Sequence, residues 1–184
     1  KLISNNKKII DYADSEYQDD FMDIYLHYKC EFIISNGAGI DEISRLFRKP
    51  ILKVNFCPYL YIPTYQLRTS ILPKKHYDKK NKKFLSLNEL FELNIAQCYN
   101  TKDFVEKNIE LIENSPEEIK CATFEFIYSV IDNNKEDQKI QRKFWRVYYQ
   151  NLSKYGLKNL HCSQDQKIAL ISNIFLNENH YLLN

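Results

Sequence analysis

The sequence is poor in glycine and contains no long hydrophobic run. Only three of its 184 residues are glycine. No segment approaches the roughly 18 consecutive apolar residues that a membrane-spanning helix needs, and no signal peptide is visible. We therefore expect a protein of the cytoplasm, or one bound peripherally to the inner face of the membrane. Because the chain begins with Lys1 just before a predicted strand, we also expect a fragment whose N-terminal part is missing.

Several catalytic motifs are absent. The chain has no G-x-S-x-G elbow, no H-E-x-x-H zinc motif and no P-loop lysine. No two aspartates are separated by a single residue, which excludes the metal-binding D-x-D motif of one class of glycosyltransferases. The candidate chemistry that remains is an anion site at a turn between a strand and a helix.

Cysteine and histidine form no metal-binding pattern. No C-x-x-C pair occurs, and the four histidines are scattered along the chain. An odd number of cysteines at irregular spacing is typical of reduced, mostly buried thiols rather than of a disulfide framework. We therefore predict no metal site and no cofactor. The cysteines are Cys30, Cys57, Cys98, Cys121 and Cys162.

Positive charge is concentrated in residues 68–83, the basic segment. The net charge of the chain is only +2, yet this segment contains seven lysines and arginines against a single acid, Asp78. The segment is therefore +6 and the rest of the chain −4. If it lies near the end of a sheet, Lys74 and Lys75 could attract an anionic ligand. The alternative is a solvated loop that binds nothing.

Residues 30–55 predict a β-loop-α-β unit. The apolar run 32–34 is typical of a short buried strand. Apolar residues then recur at helical spacing from Ile40 to Phe47, and Pro50 closes that helix because its ring cannot continue one. Residues 51–54 supply a second strand.

Residues 35–39, the glycine turn, join the first strand to the helix. They contain two of the three glycines, Gly37 and Gly39. The first turn of a helix leaves backbone N–H groups unpaired and carries partial positive charge, so this turn could accept a phosphate. Alternatively, the glycines only permit a positive φ and close packing of strand and helix. The turn is neither a complete G-x-G-x-x-G nor a P-loop.

The remaining patterns predict an α/β fold. Ile9 and Ile10 are expected in a strand, and Asp19 or Asp20 is expected to cap a helix over residues 20–28. This alternation favours a parallel sheet with right-handed crossovers. Residues 55–85 lack periodicity, so they hide a strand near 67–72 or form a functional loop.

Helical patterns follow residue 86. Ser86 and Ser115 begin capping boxes, and helices are expected over about 101–112, 116–130, 135–155 and 163–175. Trp145 is expected to pack in the core. We predict a Rossmann-like parallel half-domain in residues 1–100 and a helix-rich part in 101–184, packed together as one compact unit.

The β-loop-α-β unit resembles a known family. Residues 36–42 (Asn-Gly-Ala-Gly-Ile-Asp-Glu) and 48–52 (Arg-Lys-Pro-Ile-Leu) are similar to the S-G-G-I-Q-E-E and G-K-P-V-L stretches of UDP-N-acetylglucosamine 2-epimerases and other two-Rossmann enzymes of the glycosyltransferase B architecture. More broadly, residues 11–12, 20–26, 29–32, 72–75 and 171–176 resemble bacterial glycosyltransferases found with surface-polysaccharide genes.

The resemblance implies that residues 1–100 bind a nucleotide-sugar as substrate. The implied phosphate-binding residues, through backbone N–H groups or side chains, are Ser35, Asn36, Gly37, Ala38 and Gly39. A glutamate that contacts the ribose in the epimerase pattern corresponds here to Ile43. Asp41 or Glu42 could substitute for it, or could merely favour the helix start electrostatically.

The resemblance also implies a reaction. The helix N–H groups would stabilise charge on the departing nucleotide diphosphate without a metal. The acceptor would be a saccharide or a lipid-linked saccharide, and the general base would come from the missing N-terminal domain. His27 and His76 are the nearby histidines, and the fragment alone is expected to be inactive.

Two alternatives remain. An epimerase-like enzyme would use the same turn, with catalytic acids and histidines from the missing half. A non-catalytic module would instead use the basic segment to contact an acidic partner, nucleic acid or lipid, although no RNA-binding motif surrounds it and nucleic acid is not the expected partner.

Overall fold

The computed structural model describes residues 4–64, 68–131, 138–159 and 169–184. Within these ranges the chain forms seven α-helices and seven strands. The helices are α1 (Asp20–Lys29), α2 (Asp41–Leu46), α3 (Leu87–Glu92), α4 (Thr101–Glu106), α5 (Pro116–Phe126), α6 (Gln138–Lys154) and α7 (Asn173–Glu178). The strands are β1 (Ile33–Ser35), β2 (Ile51–Phe56), β3 (Thr69–Pro73), β4 (Lys75–Asp78), β5 (Lys83–Phe84), β6 (Ile109–Ile112) and β7 (Leu170–Ile171).

Four strands form a parallel sheet in the order β1-β2-β3-β7. The two central strands are buried on both faces, as expected where helices cover a parallel sheet; Leu52 and Ile71 are both 0 % exposed. This sheet confirms the predicted α/β fold with a Rossmann-like arrangement. The strand expected near residues 67–72 is also confirmed, because β3 occupies 69–73.

The predicted β-loop-α-β unit is present as β1, α2 and β2. Ile33 pairs with Ile51 and Ile34 pairs with Leu52, so the two strands are adjacent and parallel. The helix ends at Leu46, four residues before Pro50, and Arg48 takes a left-handed φ of 54° on the way into β2. The glycine turn therefore lies at the carboxyl edge of the sheet.

A second, antiparallel sheet has the order β5-β4-β6. Its central strand follows β3 after a single residue, so the basic segment spans both sheets. The segment consists of β3, β4 and a turn at 79–82 that leads into β5. It is therefore largely strand rather than an irregular loop.

Aromatic and aliphatic side chains from the helices fill the core between these elements. Phe91, Phe126, Phe144 and Tyr148 are each 0 % exposed. Both predicted capping boxes form, at Ser86 before α3 and at Ser115 before α5. Trp145 is 5 % exposed and lies edge-on to Phe144 and Tyr148, which confirms it as a packing residue.

Three of the predicted elements were wrong. Residues 9 and 10 form no strand, and Ile10 is 72 % exposed. The helix expected over 101–112 ends at Glu106, and 109–112 form β6 instead. Ile171, expected in a helix from 163, lies in β7, and α7 begins only at Asn173 with Ser172 as its cap. Residues 163–168 of that expected helix lie outside the described ranges.

Helix α1 forms as predicted but keeps its apolar residues on the surface. The side chain of Asp19 caps it by accepting a hydrogen bond from the Met22 N–H at 2.6 Å. None of its residues is buried, and Phe21 is 69 % exposed.

Among the described helices, none is long and apolar enough to cross a membrane.

Candidate functional site

The glycine turn is open to solvent. Residues 36–40 are all exposed, and α2 begins directly after them. Gly37 has a φ of +88°, which favours glycine, so its place in the turn has a conformational reason. A Cβ atom placed on Gly39 would meet no atom within 4 Å, so Gly39 borders open space. The turn therefore has room for a ligand on its outer side.

The turn presents backbone donors. The N–H groups of residues 41, 42 and 43 each donate to the carbonyl oxygen three residues earlier, in residues 38, 39 and 40 respectively, at 3.0 to 3.2 Å. The N–H of Gly37 donates to Ser35 Oγ at 3.1 Å. In the described part of the chain, no acceptor is found for the N–H groups of residues 38, 39 and 40. These three consecutive groups are the donors that a phosphate could take up.

Asp41 does not face the open side of the turn. Its carboxylate is 1 % exposed, and Lys53 Nζ on β2 donates to its Oδ2 at 3.2 Å. Its Oδ1 is buried without a hydrogen-bond partner. The pair ties the first turn of α2 to the middle of the sheet. Glu42, by contrast, is exposed and pairs with Arg45 one turn along the helix.

The inner face of α2 is also fixed by α1. Ser44 is 0 % exposed, and its Oγ lies 2.5 Å from Nδ1 of His27. This contact, together with the Asp41–Lys53 pair, holds α2 from two sides. His27 is therefore engaged with Ser44, beneath the helix and not in the glycine turn.

Lys74 and Lys75 follow β3 at the same carboxyl edge of the sheet. The strand order places β2 between β3 and β1, so across the sheet these lysines are about two strand spacings, roughly 10 Å, from β1, and they also lie beyond its last residue along the strand direction. Lys74 Nζ donates to Glu113 at 3.1 Å, and Lys75 Nζ donates to Glu118 at 2.7 Å. Their charges are therefore partly balanced by carboxylates of the chain itself. Lys83, further along the basic segment, pairs with Glu89.

His76 is enclosed in the core rather than available as a base. It is 2 % exposed, and its ring packs beside Tyr59 and Phe104. Burial lowers the pKa of His76 to about 4. Its Nε2 lies 3.8 Å from Sγ of Cys57, and burial raises the pKa of that thiol to about 12. Both groups are therefore neutral near pH 7.

The start of α7, at the same edge of the sheet, is occupied by the side chain of Glu125. The sequence patterns did not predict this contact. Glu125 on α5 accepts from the hydroxyl of Ser172 and from the N–H of Asn173, each at 2.5 Å, and from the N–H of Ile174 at 3.3 Å. The first turn of α7 is thus already occupied by the carboxyl group of Glu125. No local pattern predicts this, because Glu125 and Ser172 are 47 residues apart.

The described residues contain no cluster of three or more His, Cys, Asp or Glu side chains that could hold a metal ion. The four cysteines in this part of the chain are free.

No protein-family model, curated protein or solved structure matches this chain. The site is therefore described by its own geometry: an exposed turn with unpaired N–H groups, above a helix anchored by a buried ion pair.

Proposed function

We propose that the glycine turn binds the diphosphate of a nucleotide-sugar and that this chain is the donor-binding domain of a glycosyltransferase acting in bacterial surface-polysaccharide synthesis. The observation that carries the proposal is the set of three consecutive unpaired N–H groups at residues 38–40, exposed at the carboxyl edge of a parallel sheet. Ligands of open α/β sheets bind at that edge.

The site is suited to a group that leaves as an anion. Backbone N–H groups stabilise a diphosphate without changing their own protonation, and they need no metal to do so. In this proposal Ser35 shapes the turn through its hydrogen bond to Gly37 N–H, and Asn36, exposed beside it, contacts the phosphate. Glu42 is the acidic side chain left for the ribose, because Asp41 is buried against Lys53.

The catalytic base is assigned to another domain. His27 is engaged with Ser44, and His76 is buried in the core, as described above. The apolar face of α1 supports a neighbouring domain on this side, since Phe21 is 69 % and Tyr28 is 51 % exposed. We therefore expect the isolated chain to bind a donor nucleotide without transferring sugar. Sugar transfer by this chain alone would contradict that assignment.

Titration calorimetry with UDP, GDP and CMP tests the proposal. We expect one of the nucleotides to bind, and we expect Gly39→Glu to abolish binding by placing a carboxylate against the phosphate. The variant should fold, because a Cβ atom at Gly39 meets open space. Val105→Glu, which adds the same charge at an exposed position of α4, is the matched control. Failure of all three nucleotides to bind, or equal binding by Gly39→Glu, would contradict the proposal.

An epimerase-like enzyme would bind the same donor, and only the activity of a two-domain protein would distinguish it from a transferase.

If the chain were instead a non-catalytic module, we would expect salt-sensitive binding of a polyanion that requires Lys79, Lys80 and Lys82. The structure gives this module less support, since Lys74, Lys75 and Lys83 of the basic segment are paired with glutamates.

A further inference from the structure

Helix α6 carries cations and no acid. Its 17 residues include five lysines and arginines, with neither aspartate nor glutamate. Its inner face packs in the core through Phe144 and Tyr148. Four of the cations recur at helical spacing on the other side, so they form one face, the basic helix face. Its members are Lys139, Arg142, Lys143 and Arg146.

Two concave surfaces meet at this face. One, of about 600 Å³, is bounded by Trp145, Tyr149 and the amides of Gln138 and Gln141. The other, of about 590 Å³, lies between α6 and the C-terminal segment and includes His180. Arg142 and Arg146 line both of them. The two arginine charges therefore lie at the border of two concave surfaces and not on a convex part of the protein surface.

Three cations of this face lack counterions in the part of the chain that is described. Arg142, Lys143 and Arg146 are exposed, and no carboxylate of the described residues forms an ion pair with any of them. This contrasts with the basic segment, where three lysines pair with glutamates. Three like charges within about 6 Å of helix length repel one another, and a bound anion would relieve that repulsion.

We propose that the basic helix face is a binding site for a small molecule that carries two or more phosphate charges. Guanidinium groups bind phosphate oxygens through paired N–H donors, which suits the two arginines shared by both hollows. Each hollow has a volume in the range of small-molecule sites. The basic stretch from Lys139 to Arg146 is only about 10 Å long, which matches a diphosphate or bisphosphate better than a polymer.

This site is separate from the glycine turn. The helix lies against β7, because the side chain of Gln141 bonds to Ile171, whereas the glycine turn follows β1 at the opposite edge of the sheet. Three strand spacings separate these edges, roughly 14 Å. The inference therefore does not depend on the proposed nucleotide-sugar site.

Trp145 supplies a local probe, because it is the chain's only tryptophan and borders one hollow. Inorganic pyrophosphate is titrated while tryptophan fluorescence and heat are recorded. We expect saturable binding that changes the fluorescence, weakened at least tenfold in the double variant Arg142→Gln, Arg146→Gln. Both arginines are exposed, so the variant should keep its fold, which circular dichroism and thermal unfolding would verify.

The matched control is Lys102→Gln, Lys154→Gln, which removes two exposed cations outside the hollows. We expect this control and Gly39→Glu each to bind pyrophosphate at this site within twofold of the original chain. Undiminished binding by the double arginine variant would overturn the proposal, and so would an equal loss in the lysine control. Preference for anionic vesicles or single-stranded DNA over pyrophosphate would also overturn it.

Discussion

The side-chain amide of Gln141 pairs with both backbone groups of Ile171. Its Nε2 donates to the Ile171 carbonyl at 2.5 Å, and its Oε1 accepts from the Ile171 N–H at 3.2 Å. The amide thus takes the place that a further strand would occupy beside β7, the last strand of the parallel sheet. A strand left unpaired at an edge exposes such groups to other chains. Gln141 therefore closes this edge at the last residue of β7.

Replacing Gln141 by leucine should lower the free energy of unfolding by about 2–3 kcal/mol, because two backbone groups beside a buried side chain lose their partners. Urea unfolding measures the change. Gln150→Leu is the control, since Gln150 lies on the same helix but is exposed. A loss no greater than in that control would show that Gln141 does not hold the edge.

The buried ion pair under α2 makes a second prediction. Asp41→Asn should lower the free energy of unfolding by about 3–5 kcal/mol, because Lys53, 6 % exposed, would keep its charge in the core without a carboxylate. The double variant Asp41→Leu, Lys53→Met removes both charges and should recover most of that loss. Chemical denaturation of the three proteins measures both effects.

The exposed pair of Lys102 and Glu106 is the comparison for Asp41 and Lys53. Lys102→Gln should change the free energy of unfolding by less than about 1 kcal/mol, since both side chains are solvated. If Asp41→Asn were equally mild, the pair would not anchor α2, and the geometry of the glycine turn would have to depend on other contacts.

The fold could be predicted where the signal was local. The unit from β1 to β2 has an apolar run, a glycine turn and Pro50 in that order. Each of these features restricts the backbone conformation without a contact to distant residues. The error at 109–112 has the opposite cause. Four residues with isoleucine at both ends fit a helix as well as a strand, and only pairing with β4, some 30 residues earlier, selects the strand.

The candidate site was predictable only in part. The exposure of the turn and the positive φ of Gly37 follow from its glycines. The direction of Asp41 does not, because its partner Lys53 lies on the neighbouring strand and is an unusual residue for a buried position. The basic face of α6 did have a signal in the sequence, namely five cations without an acid. The apolar stripe of the same helix, however, predicted only that the helix packs in the core.

His76 should make the protein sensitive to acid. Its pKa is about 4 in the folded chain and near 6.5 when unfolded, so folding favours the neutral ring. That stability is fully present above pH 6.5 and is lost as the pH falls toward 4. Between pH 7 and pH 5 the expected loss is about 2 kcal/mol. His76→Phe should remove this part of the pH dependence in urea unfolding, whereas His180→Gln, an exposed control, should retain it.

Glu125 should show the opposite dependence. Burial raises its pKa in the folded chain, although hydrogen bonds from Ser172, Asn173 and Ile174 oppose the shift. A raised folded pKa favours the protonated acid, so the contribution of Glu125 to stability is greatest below its unfolded pKa of about 4.5 and falls as the pH rises through the folded value.

Glu125→Gln isolates this effect, because the amide keeps the shape of the side chain but does not titrate. Raising the pH from 4 to 7 should therefore make the original chain less stable relative to this variant. The difference between their free energies of unfolding measures this change. Glu117→Gln, which neutralises an exposed carboxylate on the same helix, corrects for the change in net charge. A shift in favour of the original chain would mean that the hydrogen bonds at the start of α7 outweigh burial. The carboxylate would then behave as a bound anion stabilised by the helix, with a lowered pKa.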